Sequence, residues 1–282
     1  MRIMEEGTGD YSRLQHVLQL SYSTEPEDQQ KAAIELSKLV NGTVFPAYSF
    51  GPLSNAISVL LPSSNRTVVS YSARALKIML LDDALRPKTI ISGVPVVVCN
   101  AIKQWDDEIL CLRELLGALQ TLCWDKQCVK GVLQADIISN LTDYVTASDQ
   151  EVSVLALATL SNILSYSDTL LLSDTTTIES LGKTMSTLVD ALKSSSGKPQ
   201  RLYAAAAIAN ASFHPRLVAI INKLGGLQLC KDMERQSMAN LHILGSKLGE
   251  CLQTAVYRLS EKKEGDPKFG SAKYSFKWGT KP

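Results

Sequence analysis

The stretch that decides the fold reads Leu155-Ala-Leu-Ala-Thr-Leu-Ser-Asn-Ile-Leu164. Small and aliphatic residues recur in it at helical spacing, which predicts an apolar helix. Its alanines leave room for neighbouring helices to approach closely. A closely similar stretch, Tyr203-Ala-Ala-Ala-Ala-Ile-Ala-Asn-Ala-Ser212, follows it in the chain. Such self-similarity predicts a repeat architecture.

Three earlier segments share the same pattern, at residues 31–40, 72–81 and 114–123. The central aliphatic residues of the five segments are separated by 40, 43, 41 and 48 residues, and they are Leu36, Leu76, Leu119, Leu160 and Ile208. The loop at 194–199 explains the longer last step. One such unit cannot bury its apolar faces alone, so neighbouring units are expected to stack into a continuous core.

A second pattern follows each of these segments. A glycine or small residue opens a bend, and apolar residues then recur every three or four positions. Pro52 and Pro95 lie near the predicted helix starts, where a missing N–H is tolerated. The breaks at 62–65, 105–107 and 147–149 end helices and supply caps for the next ones.

These residues resemble the armadillo repeat family and its relative, the HEAT repeat. The motif-like stretches are Ala156-Leu-Ala-Thr-Leu-Ser-Asn-Ile163 and Ile220-Ile-Asn-Lys-Leu-Gly-Gly-Leu-Gln-Leu229. The resemblance covers residues 25–232 and implies an all-α fold, a right-handed α-solenoid of about five repeats. A non-repetitive helical bundle is the alternative.

Four segments are expected along the chain. Residues 1–24 form an N-terminal cap segment and 25–232 the armadillo-like repeat domain. Residues 233–260 form an amphipathic capping helix, and 261–282 a basic, aromatic-containing tail.

Composition argues for a globular helical protein and against several classes of function. Hydrophobic residues make up 45%, charged residues 20% and aromatic residues 6%, with a net charge of +1, so nucleic acid is not the expected partner. No secretory signal and no membrane-spanning segment are expected.

The six cysteines are expected to be free thiols in a reducing compartment, with a disulfide framework as the alternative. No metal-ligand or catalytic constellation is present in the sequence, so we expect no enzyme, no metal and no cofactor.

The resemblance also implies where a partner would bind. In armadillo proteins an asparagine of each inner helix bonds the backbone of an extended peptide in a groove, and Asn162 and Asn210 occupy matching positions. The other units carry Lys38, Ile78 and Thr121 there. The groove candidates are therefore Arg74, Thr121, Asn162 and Asn210. The alternative for the two asparagines is structural bonding to a neighbouring repeat.

Peptide-importing members of the family carry a tryptophan four residues before the asparagine. The positions here are occupied by other residues, namely Ile34, Arg74, Gly117, Ala158 and Ala206. Recognition of basic nuclear-import peptides is therefore not favoured.

The tail is a second candidate site. Between Pro267 and Pro282 it has four lysines and no acid, and its last three aromatics alternate, so an extended strand would place them on one face. The candidate residues are Lys273, Tyr274, Phe276, Lys277 and Trp278. The tail is expected to dock on a partner or on an acidic surface such as a microtubule. A disordered end is the alternative.

Together these observations predict a cytoplasmic, non-enzymatic scaffold that binds a protein partner along the groove of the solenoid. A structural component of a cytoskeletal or ciliary assembly is one alternative, and a nuclear transport-type peptide binder is another. The sequence does not identify the partner.

Overall fold

The computed structural model describes residues 2–3, 9–41, 43–167, 175–194, 197–239 and 246–260. The described part of the chain is built of α-helices and divides into two compact units. Unit 1 comprises Met1–Ala135 and unit 2 comprises Asp136–Pro282. Each unit has its own set of packed helices.

The helices of unit 1 are α1 (Gly9–Ser21), α2 (Pro26–Val40), α3 (Phe50–Leu60), α4 (Arg66–Met79), α5 (Arg86–Ile91), α6 (Val94–Gln104), α7 (Ile109–Leu122) and α8 (Lys126–Gln134). A single 3-10 turn, Ala47–Ser49, precedes α3. The only strand pairing among the described residues joins Arg2–Ile3 to Thr43–Val44 in parallel, over two residues.

The helices of unit 2 are α9 (Ile138–Val145), α10 (Gln150–Leu164), α11 (Thr175–Ser194), α12 (Lys198–Ala211), α13 (Pro215–Lys223), α14 (Gly226–Ala239) and α15 (Ser246–Leu259). The all-α prediction is confirmed. No described helix is both long and apolar enough to cross a membrane.

The five repeated segments of the sequence lie in α2, α4, α7, α10 and α12, which we call the repeat helices. In unit 1 the repeat helices pack side by side, α2 on α4 and α4 on α7. The other helices pack on these and on one another to complete each repeat. In unit 2, α10 packs on α12, and α12 packs on α15. The core of each unit lies between the repeat helices and the other helices, because their apolar faces meet there.

Side-chain caps begin several helices where the sequence predicts breaks. Asn65 Oδ1 accepts a hydrogen bond from Thr67 N at 2.9 Å at the start of α4. Asp149 Oδ1 accepts one from Val152 N at 3.0 Å at the start of α10. These bonds satisfy backbone N–H groups that have no partner within the first turn of a helix.

Glycine makes two of the bends between helices possible. Gly93 joins α5 to α6 with φ of 68°, and Gly225 joins α13 to α14 with φ of 76°. Backbone in this left-handed region is strained for residues that carry a Cβ atom. The two glycines open the predicted second pattern of their repeats.

The predicted segment boundaries at residues 24, 232 and 260 stay predictions. The segment expected to form one helix over 233–260 contains the end of α14 and the whole of α15. Residues 240–245 between them lie outside the described residues. Helix α15 packs against both α12 and α14, as a closing helix is expected to do.

Candidate partner-binding surface

The resemblance places two residues of each repeat helix on the groove side, the tryptophan-equivalent and the asparagine-equivalent ones. We call these the groove positions; they are Ile34 and Lys38, Arg74 and Ile78, Gly117 and Thr121, Ala158 and Asn162, and Ala206 and Asn210. The groove positions of α2 and α4 are exposed or half-buried, and those of α7, α10 and α12 are buried. The predicted groove is therefore accessible on α2 and α4 of unit 1.

Glu35 of α2 lies at the centre of the first charged cluster on this surface. Lys38 Nζ donates to Glu35 Oε1 at 2.7 Å, and Arg13 Nη2 of α1 donates to Glu35 Oε2 at 3.2 Å. The hydrogen bond from Lys38, aided by the one from Arg13, lowers the pKa of the Glu35 carboxyl below its ordinary value. The carboxylate stays ionised while both cations remain largely exposed.

Glu114 of α7 lies at the centre of the second charged cluster. Arg74 donates to Glu114 Oε1 from Nε at 3.0 Å and from Nη2 at 2.9 Å. Lys77 Nζ donates to Glu114 Oε2 at 2.6 Å. Burial acts to raise the pKa of Glu114, but the hydrogen bonds from Lys77 and Arg74 outweigh it, so the pKa lies below its ordinary value.

The side chain of Lys77 reaches Glu114 by crossing a glycine. A Cβ atom added at Gly117 would lie 2.8 Å from Lys77 Cδ. Any larger side chain at this groove position would displace the lysine stem. The glycine at the tryptophan-equivalent position of α7 therefore leaves the space in which the Lys77 stem lies against this helix.

In both clusters one glutamate lies between two cations. In the first cluster Arg13 Nη1 also lies 3.8 Å from Asp10 Oδ1, so its charges balance. The second cluster has a surplus positive charge. A third pair joins Arg66 of α4 to Glu108, the residue just before α7, at 3.0 Å between Nη1 and Oε2. Unit 1 accordingly presents ordered, partly exposed cations along its repeat helices.

The predicted groove candidate Arg74 belongs to this surface, with 53% of its side chain exposed. Thr121 does not, because it is 1% exposed and its Oγ1 donates to Gly117 O at 2.9 Å within α7. This hydrogen bond to the main chain of the preceding turn uses the Thr121 hydroxyl within α7 itself.

Asn162 and Asn210 are both fully buried. Asn210 Nδ2 of α12 donates to Ser161 O of α10 at 2.9 Å. This is the bonding to a neighbouring repeat that the sequence left as the alternative for Asn210. Their predicted role in binding a partner stays a prediction, and neither amide is presented to solvent.

The tail candidates Lys273, Tyr274, Phe276, Lys277 and Trp278 lie outside the described residues. Within the described part of the chain, no group of three or more His, Cys, Asp or Glu side chains could hold a metal ion. All six cysteines are free and buried.

The sequence reasoning missed Glu114 and Lys77, although a signal for the first was present. Arg74 and Glu114 are 40 residues apart, which is one repeat. Opposite charges one repeat apart on successive repeat helices are therefore expected to meet. Lys77 could not be found in this way, since its path depends on the absence of a side chain at Gly117.

Similarity to other proteins is found in three-dimensional structure. No protein-family model matches the sequence, and no curated protein matches it. An engineered protein from the Northeast Structural Genomics Consortium superimposes with a TM-score of 0.71 at 22% identity, over 88% of this chain and 96% of the other.

Two designed armadillo repeat proteins are similarly close. One, YIII(Dq)4CqI, matches with a TM-score of 0.69 at 18% identity, over 87% of this chain and 99% of its own. The other was solved in complex with the peptide (KR)4 and matches with a TM-score of 0.69 at 19% identity, over 87% and 99% of the two chains. The chain described here therefore has the armadillo-like all-α solenoid fold that its repeats predict.

Proposed function

We propose that the chain is a non-enzymatic protein-binding scaffold and that unit 1 binds an extended, acidic segment of a partner protein. The binding surface comprises the exposed sides of α2, α4 and α7. The observation that carries the proposal is the pair of clusters in which two cations surround one glutamate, Arg13 and Lys38 at Glu35, and Arg74 and Lys77 at Glu114.

Each glutamate has a positioning role in this proposal. A free lysine or arginine side chain loses considerable rotamer entropy when it binds a ligand. Here a carboxylate already holds both cationic side chains over the helix surface, so part of that entropy is lost before the partner arrives. The guanidinium of Arg74 uses two of its three nitrogens on Glu114, and it has five N–H donors in all.

Net charge sets the expected chemistry of the partner. The cluster at Glu114 has one more cation than carboxylates, so an acidic segment gains attraction at Arg74 and Lys77, whereas a basic segment is repelled. One designed structural neighbour was solved with the basic peptide (KR)4. We propose the opposite preference for unit 1 of this chain.

Binding of labelled peptides to the full chain tests the proposal. Fluorescence anisotropy should show binding of an extended Asp/Glu octapeptide and much weaker binding of (KR)4. The affinity should fall as salt is raised beyond about 0.1 M, where the screening length is about 10 Å.

A charge-matched pair of variants makes the test specific. Arg74→Gln with Lys77→Gln should weaken binding of the acidic peptide about tenfold or more, a loss of about 1.4 kcal/mol. Lys126→Gln with Lys130→Gln removes the same charge from the exposed face of α8 and should leave affinity nearly unchanged. Equal losses in the two variants would refute a site on α4 and α7.

The surplus positive charge of Arg74 and Lys77 also favours a second candidate function. In this function the chain attaches to an acidic polymer such as a microtubule, as part of a cytoskeletal or ciliary assembly. Microtubule co-pelleting of the full chain and of the Arg74→Gln, Lys77→Gln variant distinguishes the two. Peptide binding without co-pelleting supports the scaffold. Co-pelleting that the variant loses supports the cytoskeletal role. Both functions place the chain in the cytoplasm as part of this proposal.

A further inference from the structure

Leu110 of α7 is an exposed apolar residue on the same side of its helix as the second charged cluster. It is 68% exposed. Glu114 follows it by four residues and Gly117 by seven, and this spacing places all three on one face of an α-helix. A single exposed leucine is ordinary on a protein surface. Leu110 is distinguished by its position, because it lies about 6 Å along α7 from the glutamate that holds Arg74 and Lys77.

Tyr71 of α4 lies beside the same cluster from the other helix. Its ring centre is 5.8 Å from Cζ of Arg74, which lies one turn later in α4. A guanidinium at this distance is attracted to the face of an aromatic ring. Tyr71 is half-buried, so part of it remains accessible to a partner.

Two ionic contacts show how α4 and α7 lie relative to each other. Arg66, at the start of α4, pairs with Glu108, just before α7. Arg74, two turns later in α4, pairs with Glu114, further along α7. The two pairs occur in the same order along both helices, so α4 and α7 run parallel to each other.

Tyr71 and Leu110 occupy the interval between these two ionic contacts, and we call them the apolar pair. Each of them lies between the two contacts along its own helix. The side chains of the bordering cations are largely exposed, 58% for Arg66 and 53% for Arg74. A partner side chain that lay over the apolar pair would therefore have a cation on each side.

An apolar contact at this place would strengthen the attraction between the cations and an acidic partner. A side chain packed on Leu110 excludes water from the neighbourhood of Arg74, and the attraction between opposite charges rises as the surrounding dielectric constant falls. Protein interfaces commonly combine a desolvated apolar centre with a charged or polar rim. The apolar pair and the cations beside it have this arrangement.

The accessible groove positions show the same combination of side chains. Ile34 lies one turn before Lys38 in α2, and Ile78 lies one turn after Arg74 in α4. Both isoleucines are half-buried, and both cations are exposed. A segment made only of acidic residues would make no use of these apolar side chains.

We propose that unit 1 selects an acidic segment in which an apolar residue lies between the acids, and that the apolar pair receives this residue. The inference rests on the proposed function and deepens it, because it states what distinguishes the partner from other acidic chains. The acids bind at Arg74 and Lys77, and the apolar side chain packs on Leu110 beside them. An acidic polymer without apolar side chains gains only the first of these contacts.

Two peptides that differ at one residue test the inference on the full chain. Fluorescence anisotropy compares the labelled Asp/Glu octapeptide with the same peptide in which one central acid is replaced by leucine. Charge alone predicts weaker binding of the leucine peptide, since one negative charge is lost. We expect it to bind about threefold or more tightly, because burial of a leucine side chain contributes more than one exposed charge pair.

Substitutions at Leu110 locate the contact. Leu110→Ser should abolish the preference for the leucine peptide and leave the affinity for the acidic octapeptide nearly unchanged. Leu110→Met keeps an apolar side chain and should retain the preference. Leu224→Ser is the matched control, since Leu224 is 41% exposed and belongs to unit 2, and it should also retain the preference.

The outcomes separate this inference from the proposed function. Weaker binding of the leucine peptide to the parent chain, or an equal preference in Leu110→Ser and the parent, would overturn the apolar contact while the acidic peptide still binds. Equal weakening of both peptides by Leu110→Ser would also overturn it, because the leucine would then not be read selectively. Absence of binding by both peptides would refute the proposed function and this inference with it.

Discussion

Asn210 of α12 is hydrogen-bonded to Ser161 of α10, through Nδ2 and the main-chain oxygen at 2.9 Å. The main-chain oxygen of Asn210 in turn accepts a bond from Ser167 Oγ at 3.0 Å. Both asparagine and serine are fully buried, so water does not compete for these groups. The asparagine thus joins two repeat helices of unit 2 through buried polar groups.

Removal of this amide should destabilise unit 2. Asn210→Ala leaves Ser161 O without this donor and is expected to lower the free energy of unfolding by about 1–3 kcal/mol. Urea denaturation followed by circular dichroism measures the change. Asn100→Ala, at an exposed position of α6, is the control and should have little effect. Equal stability of Asn210→Ala and the parent chain would contradict the structural role.

Leu160 should be a core residue of α10, where it is 0% exposed. Leu160→Ala removes buried contacts and leaves a cavity, so it is expected to cost about 2–5 kcal/mol. Leu110→Ala changes the same side chain at a position that is 68% exposed and should cost far less. Thermal unfolding midpoints measure both, and a midpoint for Leu160→Ala equal to that of the parent would contradict a core position for Leu160.

The cysteines should be unreactive in the folded chain. Burial raises the pKa of the Cys99 and Cys128 thiols to about 12, and that of Cys230 to about 12 as well. The reactive thiolate is therefore scarce near pH 8, about where an ordinary thiol titrates. A colorimetric thiol reagent should label almost none of the six in the native chain and all six in denaturant. Rapid labelling of native protein would contradict the burial.

His214 should make stability depend on pH. Burial, with Arg216 adding to it, lowers the pKa of this imidazole below 6.5 in the folded chain. The unfolded chain then binds a proton at a pH where the folded chain does not. Stability is therefore fully present above about pH 6.5 and falls as the pH is lowered towards the folded pKa.

The matched comparison for this effect uses two substitutions. His214→Gln should flatten the dependence below pH 6.5, measured by urea denaturation at several pH values. His16→Gln, at an exposed position of α1, should leave it as in the parent chain. An unchanged slope in His214→Gln would assign the dependence to other groups.

Much of the fold could be predicted from residues that act locally. The breaks at 62–65 and 147–149 contain Asn65 and Asp149, and both cap helices in the structure. The repeated segments lie in the five repeat helices. These features depend on the spacing of apolar residues and on short-range hydrogen bonds, so a linear pattern records them.

The candidate site was less predictable. Arg74 and Thr121 were both predicted as groove residues from their positions within the repeat. In the structure Arg74 is exposed and Thr121 is buried. The two are distinguished by what packs against them. Glu114 holds Arg74 at the surface, whereas the hydroxyl of Thr121 is used inside its own helix. Such outcomes depend on neighbours from another repeat, which the position within one repeat does not specify.

By itself, then, the sequence determined the helical class, the forty-residue period and the caps that separate the helices, because these follow from local backbone preferences and periodicity. The tertiary structure alone decided that Asn210 bonds Ser161 within unit 2, that Lys77 crosses Gly117 to reach Glu114, and that the accessible groove positions lie on α2 and α4. The physical reason is that burial and charge pairing are set by contacts between residues about forty positions apart, and a repeat pattern shows only that such residues are equivalent.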